Sequence, residues 1–63
     1  MNGTKLRKLR EDRGLTQRAV SIGTNLTEAT IGKLEGGEGN PTLKTVQALA
    51  DFYEVPISYL LND

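Results

Sequence analysis

The chain contains no cysteine and no histidine. Disulfides are therefore excluded, and so are the usual zinc and haem ligand sets. Nucleophilic catalysis loses its common base as well, because no serine or threonine here can have a histidine partner. No apolar stretch approaches the roughly 20 residues that cross a bilayer, and the opening MNGTKLRK has no apolar core of a signal peptide. The expectation is a soluble cytoplasmic protein with no cofactor, no metal and no membrane partner. No acid–base or nucleophile constellation is present, so an enzymatic reading is set aside.

A basic excess is also missing, since eight Lys and Arg face eight Asp and Glu. Nucleic-acid binders usually carry one, because phosphate neutralisation and counterion release drive their affinity. The charge is nevertheless uneven. Residues 1–18 hold six basic side chains against two acids, whereas residues 45–63 hold Asp51, Glu54 and Asp63 and no base. A neutral total can thus hide a basic face and an acidic one. At 63 residues the chain is expected to form one domain over 1–63, burying only about 60% of its unfolded surface.

What is present is concentrated in residues 16–36, TQRAVSIGTNLTEATIGKLEG. Thr16 is a good N-cap, and Val20 and Thr24 fall one turn apart on a side that can pack inward. Asn25 tolerates the left-handed conformation that ends a helix. Thr27 can cap a second helix, with Ile31 and Leu34 as its buried stripe. Two helices joined by so short a turn describe a helix-turn-helix.

The run Leu15-Thr16-Gln17, then Ile31 and Glu35, then Asn40-Pro41-Thr42 before Leu43 resembles the Cro/repressor-type (lambda-repressor-like) helix-turn-helix domain. The likeness covers about residues 5–61. It implies an all-α, compact five-helix bundle that binds double-stranded DNA as a regulator of transcription, a repressor acting as a homodimer on a palindromic operator. The same fold also suits a protein-interaction module of antitoxin or anti-regulator type, and salt dependence of binding separates the two.

Taken in order, the first helix is expected over Thr4–Arg13, stopped by Gly14. Leu6 and Leu9 point inward, and Lys5, Arg7, Lys8 and Arg13 decorate the outside, as a solvated face or as phosphate contacts. Arg10, one turn beyond Leu6, lies near the inward edge, and the resemblance implies that it pairs with Glu35. The second helix runs from Gln17 to about Gly23. Ser21 and Thr24 stand where the family has more apolar residues, and their hydroxyls can bond back to a carbonyl one turn earlier. Gly23 weakens this helix further, and Ile22 is expected to be exposed.

The third helix, Glu28 to about Gly36, is the expected recognition helix. At about 100° per residue, Ala29, Gly32, Lys33 and Gly36 lie opposite Ile31 and Leu34, with Glu28 bordering that face and Thr30 at its flank. A glutamate accepts from cytosine, an alanine touches a thymine methyl, and a lysine donates to guanine. The base-facing set is thus Glu28, Ala29, Thr30, Gly32 and Lys33. Their bland reading is a solvated face in which Glu28 complements the helix dipole. The resemblance implies that Gln17 contacts a phosphate, and the expected phosphate set is Gln17, Thr16, Thr27, Arg10 and Asn40. Glu38 and Gly39 stand where the family often has a basic residue. Thr42 caps a fourth helix burying Leu43, Val46, Leu49, Ala50 and Tyr53. Phe52 falls on its opposite side, either free for a partner or folded back on the last helix. That short helix, Ile57 to Leu61, closes the core with Leu60, and the resemblance implies a dimer contact through Phe52, Ile57 and Leu61.

Overall fold

Four of the five helices in the computed structural model start on a side-chain cap. The structure describes residues 1–62; Asp63, one of the acids in the C-terminal third, lies outside them. The helices are α1 (Gly3–Asp12), α2 (Gln17–Thr24), α3 (Glu28–Glu35), α4 (Leu43–Tyr53) and α5 (Ile57–Leu61), with no strand among the described residues. Asn2, Thr16, Thr27 and Thr42 each accept a bond from a backbone N–H in the first turn that follows, satisfying a donor that has no partner within the helix.

The helix ends are equally local. Gly14 (φ +64°) stops α1, with its N–H on the Glu11 carbonyl and that of Leu15 on the Arg10 carbonyl. Asn25 takes the left-handed conformation after α2 (φ 61°), and Glu54 does the same after α4 (φ 56°). Relative to the sequence pattern, α1 starts and ends one residue earlier, because Asn2 supplies the cap. The α2 helix runs one residue past Gly23, where the Thr24 hydroxyl donates to the Val20 carbonyl at 2.7 Å.

Both α1 and α2 pack on α3, while α4 packs on α2 and α5. The core is Leu6 of α1, Val20 of α2, Ile31 and Leu34 of α3, Val46, Leu49, Ala50 and Tyr53 of α4, and Leu60 of α5. Leu43, expected among them, is 68% exposed. Side chains in a helix lean toward its N-terminus, so the first residue of α4 covers space beyond the bundle rather than core.

Phe52 also departs from expectation. Its ring is half-buried against the core, edge-on to Tyr53 with centroids 5.0 Å apart. It occupies the space where a Gly23 Cβ would stand. Phe52 is therefore seated on α2 rather than standing free. Gly23, which by propensity only weakens its helix, provides that seat.

Two basic side chains of α1 are not free decoration. The Lys5 ammonium donates to the Tyr59 and Asn62 carbonyls, each at 2.8 Å, and lies 4.4 Å from the Tyr59 ring centre. Arg13 donates to the Tyr53 carbonyl at 2.9 Å and lies over that ring. Each cation thus meets the negative end of a helix, α5 for Lys5 and α4 for Arg13.

Candidate nucleic-acid interface

The ion pair at the junction of α1, α2 and α3 fixes how these helices meet. Arg10 Nε donates to Glu35 Oε2 at 2.7 Å and its Nη2 to Oε1 at 3.0 Å, a bidentate pair. Its Nη1 donates to the Leu15 carbonyl at 2.9 Å, on the approach to α2. The Glu35 side chain is 2% exposed and that of Arg10 14%. The hydrogen bond to Glu35 raises the Arg10 pKa above its usual value, against the opposing pull of burial. Three of its five N–H groups are committed in this way, which makes Arg10 a structural partner of Glu35.

Gln17 stands beside this pair. Its Nε2 donates to Glu35 Oε1 at 3.3 Å, and its amide lies 3.8 Å from where a Gly32 Cβ would be. The side chain therefore runs along α3 at the level of Gly32. Arg7 reaches the same carboxylate oxygen, its Nε 3.9 Å from Oε1, with a side chain 58% exposed. The sequence pattern did not single out Arg7 for this role. The available signal is its spacing of three from Arg10, which puts both on one side of α1.

On α3 itself, Glu28, Ala29 and Lys33 are exposed, while Thr30 and Gly32 are half-buried. The Thr27 hydroxyl accepts from the Thr30 N–H at 3.1 Å and donates to the Thr30 hydroxyl at 2.9 Å. Thr27 is thereby used within the cap, and the Thr30 hydroxyl keeps a proton to donate. Thr16 accepts from the Ala19 N–H at 3.0 Å and likewise keeps its own proton. A Gly32 Cβ would make only ordinary contact with the Gln17 amide.

Beyond Lys33 an open pocket of about 220 Å³ separates α3 from the start of α4, with Thr30, Lys33, Asn40, Thr42 and Thr45 in its wall. Asn40 is exposed there. The sequence pattern marked Thr42 only as a cap and passed over Thr45, whose hydroxyl lies 3.1 Å from that of Thr42. Arg18, in the first turn of α2, and Lys44, in the first turn of α4, are exposed cations near these elements that the pattern also passed over.

Chemically, the outward side of α3 offers an acceptor (Glu28), a methyl (Ala29), a hydroxyl (Thr30) and an ammonium (Lys33). Neutral donors stand beside it at Gln17 and Asn40, and the Thr16 hydroxyl lies at the start of α2. Such a mixed row can read base edges, with flanking donors for phosphate oxygens. No group of carboxylates that could hold a metal occurs among the described residues, and no helix is long and apolar enough to cross a membrane. The dimer-contact residues of the sequence reading are divided. Leu61 is exposed, Ile57 is half-buried against the core, and Phe52 is seated on α2.

A family sequence model described as Helix-turn-helix matches residues 6–60. The cryptic phage CTXphi transcriptional repressor RstR of Vibrio cholerae is 41% identical over 63 residues, all of this chain and 57% of that repressor. The HTH-type transcriptional regulator DdrOP3 of Deinococcus deserti is 35% identical over 92% of this chain and 45% of its own length. The chain thus spans about half the length of these two relatives. Among solved structures, the restriction-modification controller protein C.AhdI of Aeromonas hydrophila superposes with a TM-score of 0.86 at 29% identity. That match covers 92% of this chain and 88% of the controller protein.

Proposed function

Because the chain belongs to the helix-turn-helix family, we propose that it is a sequence-specific double-stranded-DNA-binding regulator of transcription, a repressor that acts by occupying its operator. The observation that carries this reading is α3. Its two apolar anchors, Ile31 and Leu34, are buried, while Glu28, Ala29 and Lys33 stand exposed on the helix that follows the turn. In this motif that helix enters the major groove with its N-terminal residues leading. The transcriptional repressor and regulator among the relatives support the same reading. On it the protein performs no chemistry, and its place of action is the cytoplasm.

The protein binds as a homodimer, with Leu61 and Ile57 of α5 at the contact and exposed Tyr59 added to them. Phe52 contributes little to that contact, because its ring is spent on α2. Half-sites then lie about one helical turn, roughly 34–36 Å, apart.

One observation favours a second reading, a protein-interaction module. The chain is neutral overall, and Lys5, Arg10 and Arg13 are occupied within the fold. Fluorescence anisotropy with labelled duplex DNA across a salt series separates the readings. DNA binding gives a steep linear fall of log affinity with log salt, about 0.9 per phosphate neutralised. A flat salt response, or no binding to any duplex, favours the interaction module.

A further inference from the structure

We propose that Lys5 is a positioning residue for the pairing of two chains on the operator. It holds the last turn of α5 so that the outer side of this helix meets the second copy in one fixed orientation. This rests on the α5 dimer proposed above. The α5 helix has little to hold it by itself. It is five residues long, starts at Pro56 with no side-chain cap, and fully buries only Leu60, with Ile57 half-buried one turn earlier. A helix so short has no stability of its own. Its two anchors stand in one row, so they resist displacement of α5 better than a roll about that row. At about 100° per residue, Tyr59 and Leu61 fall on either side of Leu60, and both are exposed. A roll of α5 therefore trades one for the other at the contact.

Lys5 stops that roll. Its ammonium donates to the Tyr59 and Asn62 carbonyls, each at 2.8 Å, and lies 4.4 Å from the Tyr59 ring centre. One group thus grips the backbone on both sides of Leu60 and the ring on one side of it, which fixes rotation as well as place. The other end of the grip is rigid. Lys5 stands two residues after Gly3, where α1 lies so close to α3 that a Cβ would strike the Leu34 and Glu35 carbonyls. The orientation of α5 is therefore passed to α3 through α1, by a route independent of α4. Two recognition helices must reach half-sites a fixed distance apart, and a contact that rocks at α5 swings the second chain away from its half-site.

The test compares duplexes carrying one or two half-sites of the selected operator, over a salt series, for the wild type, Lys5→Met and Lys5→Arg. Pairing is read as the gain of the two-site duplex over two independent half-sites. Lys5→Met is expected to keep half-site affinity within about twofold and to lose about fivefold to tenfold in pairing, the lower range of coupling between sites. Its half-site salt slope stays that of the wild type, because this ammonium is spent on α5 and not on phosphate. Hydrogen exchange at the Asn62 amide, bonded to the Ser58 carbonyl, quickens in Lys5→Met while exchange in α3 does not. Lys5→Arg retains pairing within about twofold, since a guanidinium can serve two acceptors and stack on a ring. Unchanged pairing in Lys5→Met, or equal losses on one and two half-sites, overturns the role of Lys5 while the dimer stands. A half-site slope lower by about 1, or a Lys5→Arg loss equal to that of Lys5→Met, does the same. If the wild type binds two half-sites no better than independently, the dimer reading itself falls, and the role of Lys5 with it.

Discussion

Glu35 shows what a buried charge requires of its neighbours. A carboxylate 2% exposed is tolerated because Arg10 meets both of its oxygens and Gln17 adds a further donor. Removing one member takes the bidentate partner from the other, and Gln17 and the more distant Arg7 replace it only in part, so Arg10→Ala or Glu35→Ala alone is expected to cost about 3 kcal/mol. A double-mutant cycle on urea unfolding checks this, and a coupling energy near zero contradicts it. Tyr53 adds an alkaline limit. Burial, then the Glu35 charge, raises its pKa above the ordinary tyrosine value, with Arg10 and Arg13 opposing. The raised value favours the neutral phenol in the fold, so its contribution is intact below about pH 10. It is lost as pH climbs toward the folded-state value and the unfolded chain alone ionises. Unfolding free energies measured from pH 7 upward should fall beyond about pH 10, less steeply in Tyr53→Phe. Position alone put Arg10 near the inward edge of its helix. The contacts of Arg7 and Gln17 with Glu35 were not legible, because they depend on where a third helix delivers one oxygen.

Among the elements, the capping threonines made the helix starts legible, since each of Thr16, Thr27 and Thr42 bonds only to its own first turn. Close approaches between helices were not legible, and the glycines record them. A Cβ at Gly3 would run into the carbonyl oxygens of Leu34 and Glu35, which are backbone and cannot swing aside. Gly3→Ala is therefore expected to destabilise by about 1–3 kcal/mol despite alanine's higher propensity. Gly32 is the opposite case, because the fold has room for a methyl there. Gly32→Ala should raise unfolding free energy by about 1 kcal/mol. If the α3 backbone approaches DNA at this point, the same variant binds its operator more weakly. Thermal unfolding and DNA titration of the one variant together decide whether that glycine serves the ligand.

For the whole molecule, the basic excess at the start of the chain is only partly a surface property. Arg10 neutralises Glu35, and Lys5 and Arg13 hold the C-terminal carbonyls of α5 and α4. Arg7, Lys8 and Arg18 remain exposed from that stretch, joined by Lys33 and Lys44. Composition along the chain could not separate these groups, because the partners of Lys5 and Arg13 lie 40 or more residues away in sequence. On the DNA-binding reading proposed above, this modest set of exposed cations leaves base contacts to contribute a large part of specific affinity. Light scattering at saturation should count two chains per operator, and one chain would remove the α5 dimer. The central claim, that the outward face of α3 reads sequence, is tested most directly by selecting bound sites from random duplex DNA with the wild-type protein and Glu28→Ala. The account predicts one enriched motif for the wild type. For Glu28→Ala it predicts stronger non-specific binding with preference relaxed at a single position, by up to about 1–3 kcal/mol. No enriched motif, or a variant that keeps the wild-type preference at every position, would contradict it.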